Sequence, residues 1–133
     1  MTLSPLQLFA AVLALAVSAA PAGAQNLQHY ALKNGETIEV GSLYYTANCR
    51  SIMTALPEVE IMEGPDEVKL AVREEQVLPR RQGCANKIAG GMLTMTAKDV
   101  TEKKEAKLTY RTKYKTKDGD RQISHSVIVA LFP

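Results

Sequence analysis

Residues 107–132 read KLTYRTKYKTKDGDRQISHSVIVALF, and the period of this stretch decides the fold class. In its first half, Leu108, Tyr110, Thr112 and Tyr114 share one parity, while Lys107, Thr109, Arg111, Lys113, Lys115 and Lys117 share the other. A repeat of two residues sends alternate side chains to opposite faces of an extended strand, so this strand has one apolar and one cationic face. Asp118-Gly119 follows, a pair suited to a two-residue type I′ hairpin loop, whose central positions both need positive φ. Beyond it, Ile123, Val127, Val129 and Leu131 resume the apolar parity. With Asp118-Gly119 as the loop, Lys117 is expected opposite Asp120 and Tyr114 opposite Ile123. Thr112 then faces His125, Tyr110 faces Val127 and Leu108 faces Val129. A slip of one residue would turn every one of these side chains to the wrong face.

The rest of the chain has the same texture, read outward from this hairpin. A short strand is expected over His29 to Leu32, then a turn at Asn34-Gly35 and a strand over Thr37 to Tyr44. Pro57 opens a run in which Val59 and Ile61 alternate with Glu58 and Glu60. Gly64-Pro65-Asp66 is a turn signal. Glu67 to Gln76 could pass for a helix, but Val68, Leu70 and Val72 alternate with Lys69, Ala71 and Arg73, which favours a strand. Pro79 to Gly83 reads as a loop, Gly90-Gly91 as a break before a strand over Met92 to Thr96, and Thr101 to Ala106 as a charged connection. About seven short strands with no helical period predict an all-β domain, an immunoglobulin-like antiparallel β-sandwich.

Composition bounds the rest. The chain has 133 residues, 46% hydrophobic and 23% charged, with 2 Cys and no Trp. That suits one domain and excludes wholesale disorder. Two Cys are too few for a disulfide-dense miniprotein or a four-cysteine zinc site. A net charge of +2 does not suggest a nucleic-acid binder.

Residues 1–24 carry no charged side chain, and Leu6 to Ala20 is almost wholly Leu, Ala, Val and Phe. Pro21 ends the apolar core, and Ala22-Gly23-Ala24 offers the small-x-small pattern of a signal peptidase site. A signal peptide over 1–24, cleaved after Ala24, is expected, leaving a domain over 25–133. A retained anchor is the competing reading, against which the core is short for the roughly 20 apolar residues of a span. The n-region lacks Lys and Arg. No Cys follows the core, so a bacterial lipoprotein anchor is not expected. Export to the periplasm or beyond places Cys49 and Cys84 in an oxidising compartment, where pairing is favoured. Such a bond would be worth about 4 kcal/mol by chain entropy.

A family resemblance rests on Gly41 to Tyr45, Cys49, Pro57 to Met62, Gly64-Pro65, Val68 to Val72, Cys84, Gly91 to Leu93, Tyr114 to Gly119 and Val127 to Val129. In this order the chain resembles small exported proteobacterial proteins with a single Ig-like or cadherin-like domain. The resemblance implies a fold and a periplasmic or extracellular setting, not an activity. The charged segment Lys98 to Lys107 lacks the Gly-x-Asp bend usual in that class, which weighs against carrying over its cadherin-like calcium role. The missing Trp departs from a strict immunoglobulin core.

No cluster of Ser, His and Asp suggests a catalytic triad, so an enzyme is not expected. His29 reads as solvated and His125 as a partly buried strand histidine rather than a metal ligand, which would need convergent partners. Asp118 and Asp120 are explained by the turn, and calcium would want six to eight oxygens. No cofactor or metal is expected. The charge distribution says more. Residues 25–75 hold 9 carboxylates and 4 cations, and residues 76–133 hold 12 cations and 5 carboxylates, so −5 and +7 lie behind the overall +2. Arg111, Lys113, Lys115 and Lys117 leave one strand on one side, beside Ser124 and Ser126. Such a row is a candidate anion-binding face for an anionic glycan, a lipid headgroup or an acidic protein surface. The plainer reading is a solvated face whose lysines oppose edge-to-edge aggregation. Two function classes follow: an exported binding or adhesion-type module, and a structural envelope-accessory domain without a dedicated ligand. Mass spectrometry of the unreduced, exported protein should find a chain starting at Gln25 that is two hydrogens lighter than its reduced form. A free thiol or an intact leader would contradict the reading.

Overall fold

The computed structural model describes residues 27–81 and 83–133, and the expected signal peptide lies outside the described residues. Nine strands follow in order: β1 (Gln28–Lys33), β2 (Thr37–Leu43), β3 (Thr46–Ala47), β4 (Arg50–Ser51), β5 (Glu58–Glu63), β6 (Val68–Val77), β7 (Ile88–Ala97), β8 (Lys104–Thr116) and β9 (Gly119–Phe132). Seven of them are the strands predicted from alternation, and β3 and β4 are additional two-residue strands. The 68–77 stretch is strand, as its period of two requires. One sheet has the order β1-β9-β8-β5, a second β2-β7-β6, and β3 and β4 form a small ribbon.

One core joins the two larger sheets. Leu108, Tyr110 and Tyr114 of β8 and Val127, Val129 and Leu131 of β9 meet Leu93, Met95 and Ala97 of β7 in a single buried cluster. Leu32 of β1, Leu43 of β2 and Val68 of β6 complete it. The even row of β8 is buried from Leu108 to Thr116, and the odd row faces outward, as the alternation predicts. The antiparallel expectation fails at one place: β1 runs parallel to β9, with Gln28 beside Val127 and Lys33 beside Phe132.

The hairpin register differs from expectation by two residues. Thr116 pairs with Gly119 and Lys115 with Asp120, so Tyr114 faces Arg121, Thr112 faces Ile123, Tyr110 faces His125 and Leu108 faces Val127. The turn chemistry explains the shift. Gly119 has φ of +108°, while the described non-glycine residues with positive φ are Asn48, Cys49 and Asp99. Asp118 therefore does not fill a type I′ position. The loop is Lys117-Asp118 instead of Asp118-Gly119, and the left-handed Gly119 is the first residue of β9, directly after it. The Thr116 hydroxyl fastens it, donating to the Gly119 carbonyl at 2.6 Å and accepting from the Asp118 amide at 3.2 Å. A shift of two preserves the faces, so the core set survives. Ile123, however, is left 43% exposed at the end of the ribbon.

Two other boundaries move. β8 starts at Lys104, inside the expected connection. Gly90-Gly91 does not break the chain but lies within β7. The pair is there because neighbours press close: a Cβ on Gly90 would lie 2.5 Å from Val77 Cγ2 and 2.8 Å from the Leu43 carbonyl oxygen. Gly90→Ala should therefore destabilise the fold by about 1–3 kcal/mol, the usual range for overpacking. Gly41→Ala, where a Cβ meets nothing within 4 Å, should stay within about 0.5 kcal/mol of wild type. Urea unfolding of the two variants checks the contrast.

Candidate anion-binding surface

The outward row of β8 carries Lys107, Arg111, Lys113 and Lys115, and Lys117 sits in the turn that follows. Its neighbours decide its charge. Antiparallel β5 sets Glu58 beside Lys113 and Glu60 beside Arg111. On the other side β9 sets Ser126, Ser124, Gln122 and Asp120 beside Thr109, Arg111, Lys113 and Lys115. The Lys113 Nζ lies 2.7 Å from Glu60 Oε2. Hydrogen bonding from Lys113, then the Lys113 charge and the more distant Arg111 charge, holds the Glu60 carboxyl below the usual carboxylate range. The middle of the basic row is thus compensated by a strand distant in sequence. Among the described residues, no carboxylate comes within ion-pairing distance of Lys115 or Lys117.

The end of β8 also meets the loop that follows β2. The Thr54 amide donates to the Lys115 carbonyl at 2.9 Å, the Lys117 amide donates to the Ile52 carbonyl at 2.9 Å, and Met53 bridges Thr116. This loop, 44–57, contains the β3–β4 ribbon. Asn48 and Cys49 at its tip have φ of 52° and 61°, the two positive values a type I′ turn needs. Cys49 is disulfide-bonded to Cys84 in loop 78–87, so the expected bridge is present and ties the two loops together. Loops 44–57 and 78–87 contain Arg50, Arg80, Arg81 and Lys87 and no carboxylate. Sequence reasoning passed over these four cations because they are scattered singly through irregular segments, and only the disulfide and the strand order bring the loops to one end. A cleft of about 90 Å³ opens beside them, where Lys113, Lys115 and Arg121 mix with Glu58 and Asp120.

His125 lies on the inner parity of β9, half-buried, its ring stacked on Tyr110 with centroids 5.0 Å apart. The Thr112 hydroxyl is 3.4 Å from its Nε2. His29 is exposed on β1. Among the described residues no group of three His, Cys, Asp or Glu side chains is placed to hold a metal ion, and no helix is long and apolar enough to cross a membrane. No family model matches the chain, and no curated protein does.

The Tyr110–His125 pair makes the fold pH-sensitive at both extremes. Burial, with smaller contributions from Tyr30 and Tyr114, pushes the Tyr110 phenol up from 10.0 to about 12. Its contribution to stability is complete below pH 10 and is lost as pH rises through about 12. Burial pushes the His125 imidazole down from 6.5. Its contribution is present above pH 6.5 and is lost as pH falls through the lowered value. Melting temperature should therefore decline on both sides of that window. NMR titration should find His125 protonating below pH 6.5, and ultraviolet titration should find a tyrosine ionising near pH 12.

Proposed function

We propose that the chain is an exported binding module with an immunoglobulin-like sandwich, which meets an anionic partner where the basic row of β8 runs out among the loops. The strand order supports the sandwich reading. With β1, β2, β5, β6, β7, β8 and β9 taken as strands A to G, the sheets become G-F-C and B-E-D, the immunoglobulin partition apart from the first strand. The bridge is a loop clasp rather than the inter-sheet bond of antibody domains. Export is supported by the leader-like composition of residues 1–24 and by a disulfide, which persists in oxidising compartments.

The observation that carries the binding reading is the charge of the clasped loops, which hold four cations and no carboxylate beside the unpaired Lys115 and Lys117. Such a surface attracts polyanions at long range, with a strength that falls as salt rises. The alternative, an envelope-accessory domain without a dedicated ligand, is favoured by one observation: Glu58 and Glu60 offset the middle of the basic row. Chromatography on immobilised polygalacturonate separates the two. The wild-type protein should be retained at low salt and eluted by sodium chloride, and Lys115→Glu with Lys117→Glu should elute earlier with an unchanged melting temperature. Absence of retention at low salt would sink the binding reading and leave the accessory one.

A further inference from the structure

Where loops 44–57 and 78–87 meet β9 lies a hollow of about 290 Å³ lined by Tyr44, Tyr45, Thr46, Arg81 and Ile123. We propose that it binds one acidic sugar unit of a polyanionic glycan, the anionic group on Arg81 and the ring against the tyrosines. The inference rests on the binding reading above and names the ligand for it.

Four observations converge on the hollow. Its charge is unmixed: among the described residues Arg81 is the one ionic group in the lining, whereas the cleft beside Lys115 contains Glu58 and Asp120. A guanidinium with no carboxylate competing for it suits bidentate recognition of a carboxylate or similar anion. Its walls are amphipathic, since two tyrosines and the exposed Ile123 supply apolar surface and Thr46 adds a hydroxyl. Tyrosine offers a large rigid face at low entropic cost together with a polar tip, which is why binding loops favour it.

The lining is also held in place before any ligand arrives. The Tyr44 hydroxyl accepts a hydrogen bond from the Arg80 amide at 2.9 Å, which ties its ring to the 78–87 loop. The Tyr45 ring packs on Tyr114, centroids 5.6 Å apart and planes inclined by 53°. The Cys49–Cys84 bond keeps together the loops that supply Tyr44, Tyr45, Thr46 and Arg81. Preorganisation of this kind lowers the ordering cost of binding. Finally, the volume falls just short of the roughly 300–1,000 Å³ of pockets that engulf drug-sized ligands. That is room for one ring of a chain whose remaining units lie outside.

The test titrates trigalacturonate and, separately, neutral galactotriose into the isotopically labelled folded domain at physiological salt, read by amide NMR. Trigalacturonate should shift the Tyr44, Thr46 and Ile123 signals, and galactotriose should bind far more weakly. Arg81→Gln should weaken trigalacturonate binding about tenfold or more, the loss expected for one charge-assisted contact, without changing the melting temperature. Lys115→Glu with Lys117→Glu, which weakens long-range attraction, should lower the affinity less than Arg81→Gln does while the same signals shift. Shifts confined to the β8 row, or equal affinity in Arg81→Gln, would overturn the hollow while leaving the wider binding reading standing. Inorganic sulfate binding as tightly as trigalacturonate would overturn the sugar part. Failure of retention on polygalacturonate strikes the wider reading instead, so the two failures are distinguishable.

Discussion

The β8–β9 ladder is the contact on which the other parts depend, and its register hangs on the left-handed backbone of Gly119. With that residue opening β9, the two-residue loop falls on Lys117-Asp118 and not on Asp118-Gly119. The pairing then places His125 on Tyr110, brings Arg121 opposite Tyr114 and leaves Ile123 facing the hollow rather than the core. A residue with a Cβ at 119 would face strain at this φ whatever space surrounds it. The cost would be felt in pairing, in core packing and at the loop end together, because all three share one ladder.

Charge on this molecule is governed by neighbours more than by runs. Arg111 and Lys113 look like parts of an open cationic stripe until β5 is laid beside them with Glu58 and Glu60. Strand alternation aligns side chains within a strand, but sheet order decides what stands across from them. At the loop end, Lys115 and Lys117 make no ion pair among the described residues, and the clasped loops add four cations without a carboxylate. The negative first half and positive second half of the chain therefore partly cancel where β5 meets β8.

What could be read in the chain, and what could not, divides along the same line. The seven long strands and their buried faces follow from local period, and the Cys49–Cys84 pair from the presence of two Cys behind a leader-like start. The β3–β4 ribbon escaped because its turn has Cys49 where a glycine would have signalled it. Gly90-Gly91 reads as a break because a glycine pair in isolation marks a loop, whereas in the packed sheet it answers the close approach of Val77 and Leu43. The parallel pairing of β1 and the company of Arg81 with Tyr44 and Tyr45 are products of topology, to which no short window of residues is sensitive.

That parallel pairing has a consequence for how the molecule is made. The hydrogen-bonded neighbour of β1 within its sheet is β9, so residues 28–33 wait for residues 127–132. The two segments lie at opposite extremes of the described chain, and contacts so distant in sequence are entropically late and kinetically slow. Until β9 emerges, β1 is an unpaired strand and Leu32 lacks much of the core it will join. The domain is thus built to close last at the seam where its earliest and latest strands meet. A chain threaded through a membrane pore in order, N-terminal end first, would stay open until its passage was nearly complete.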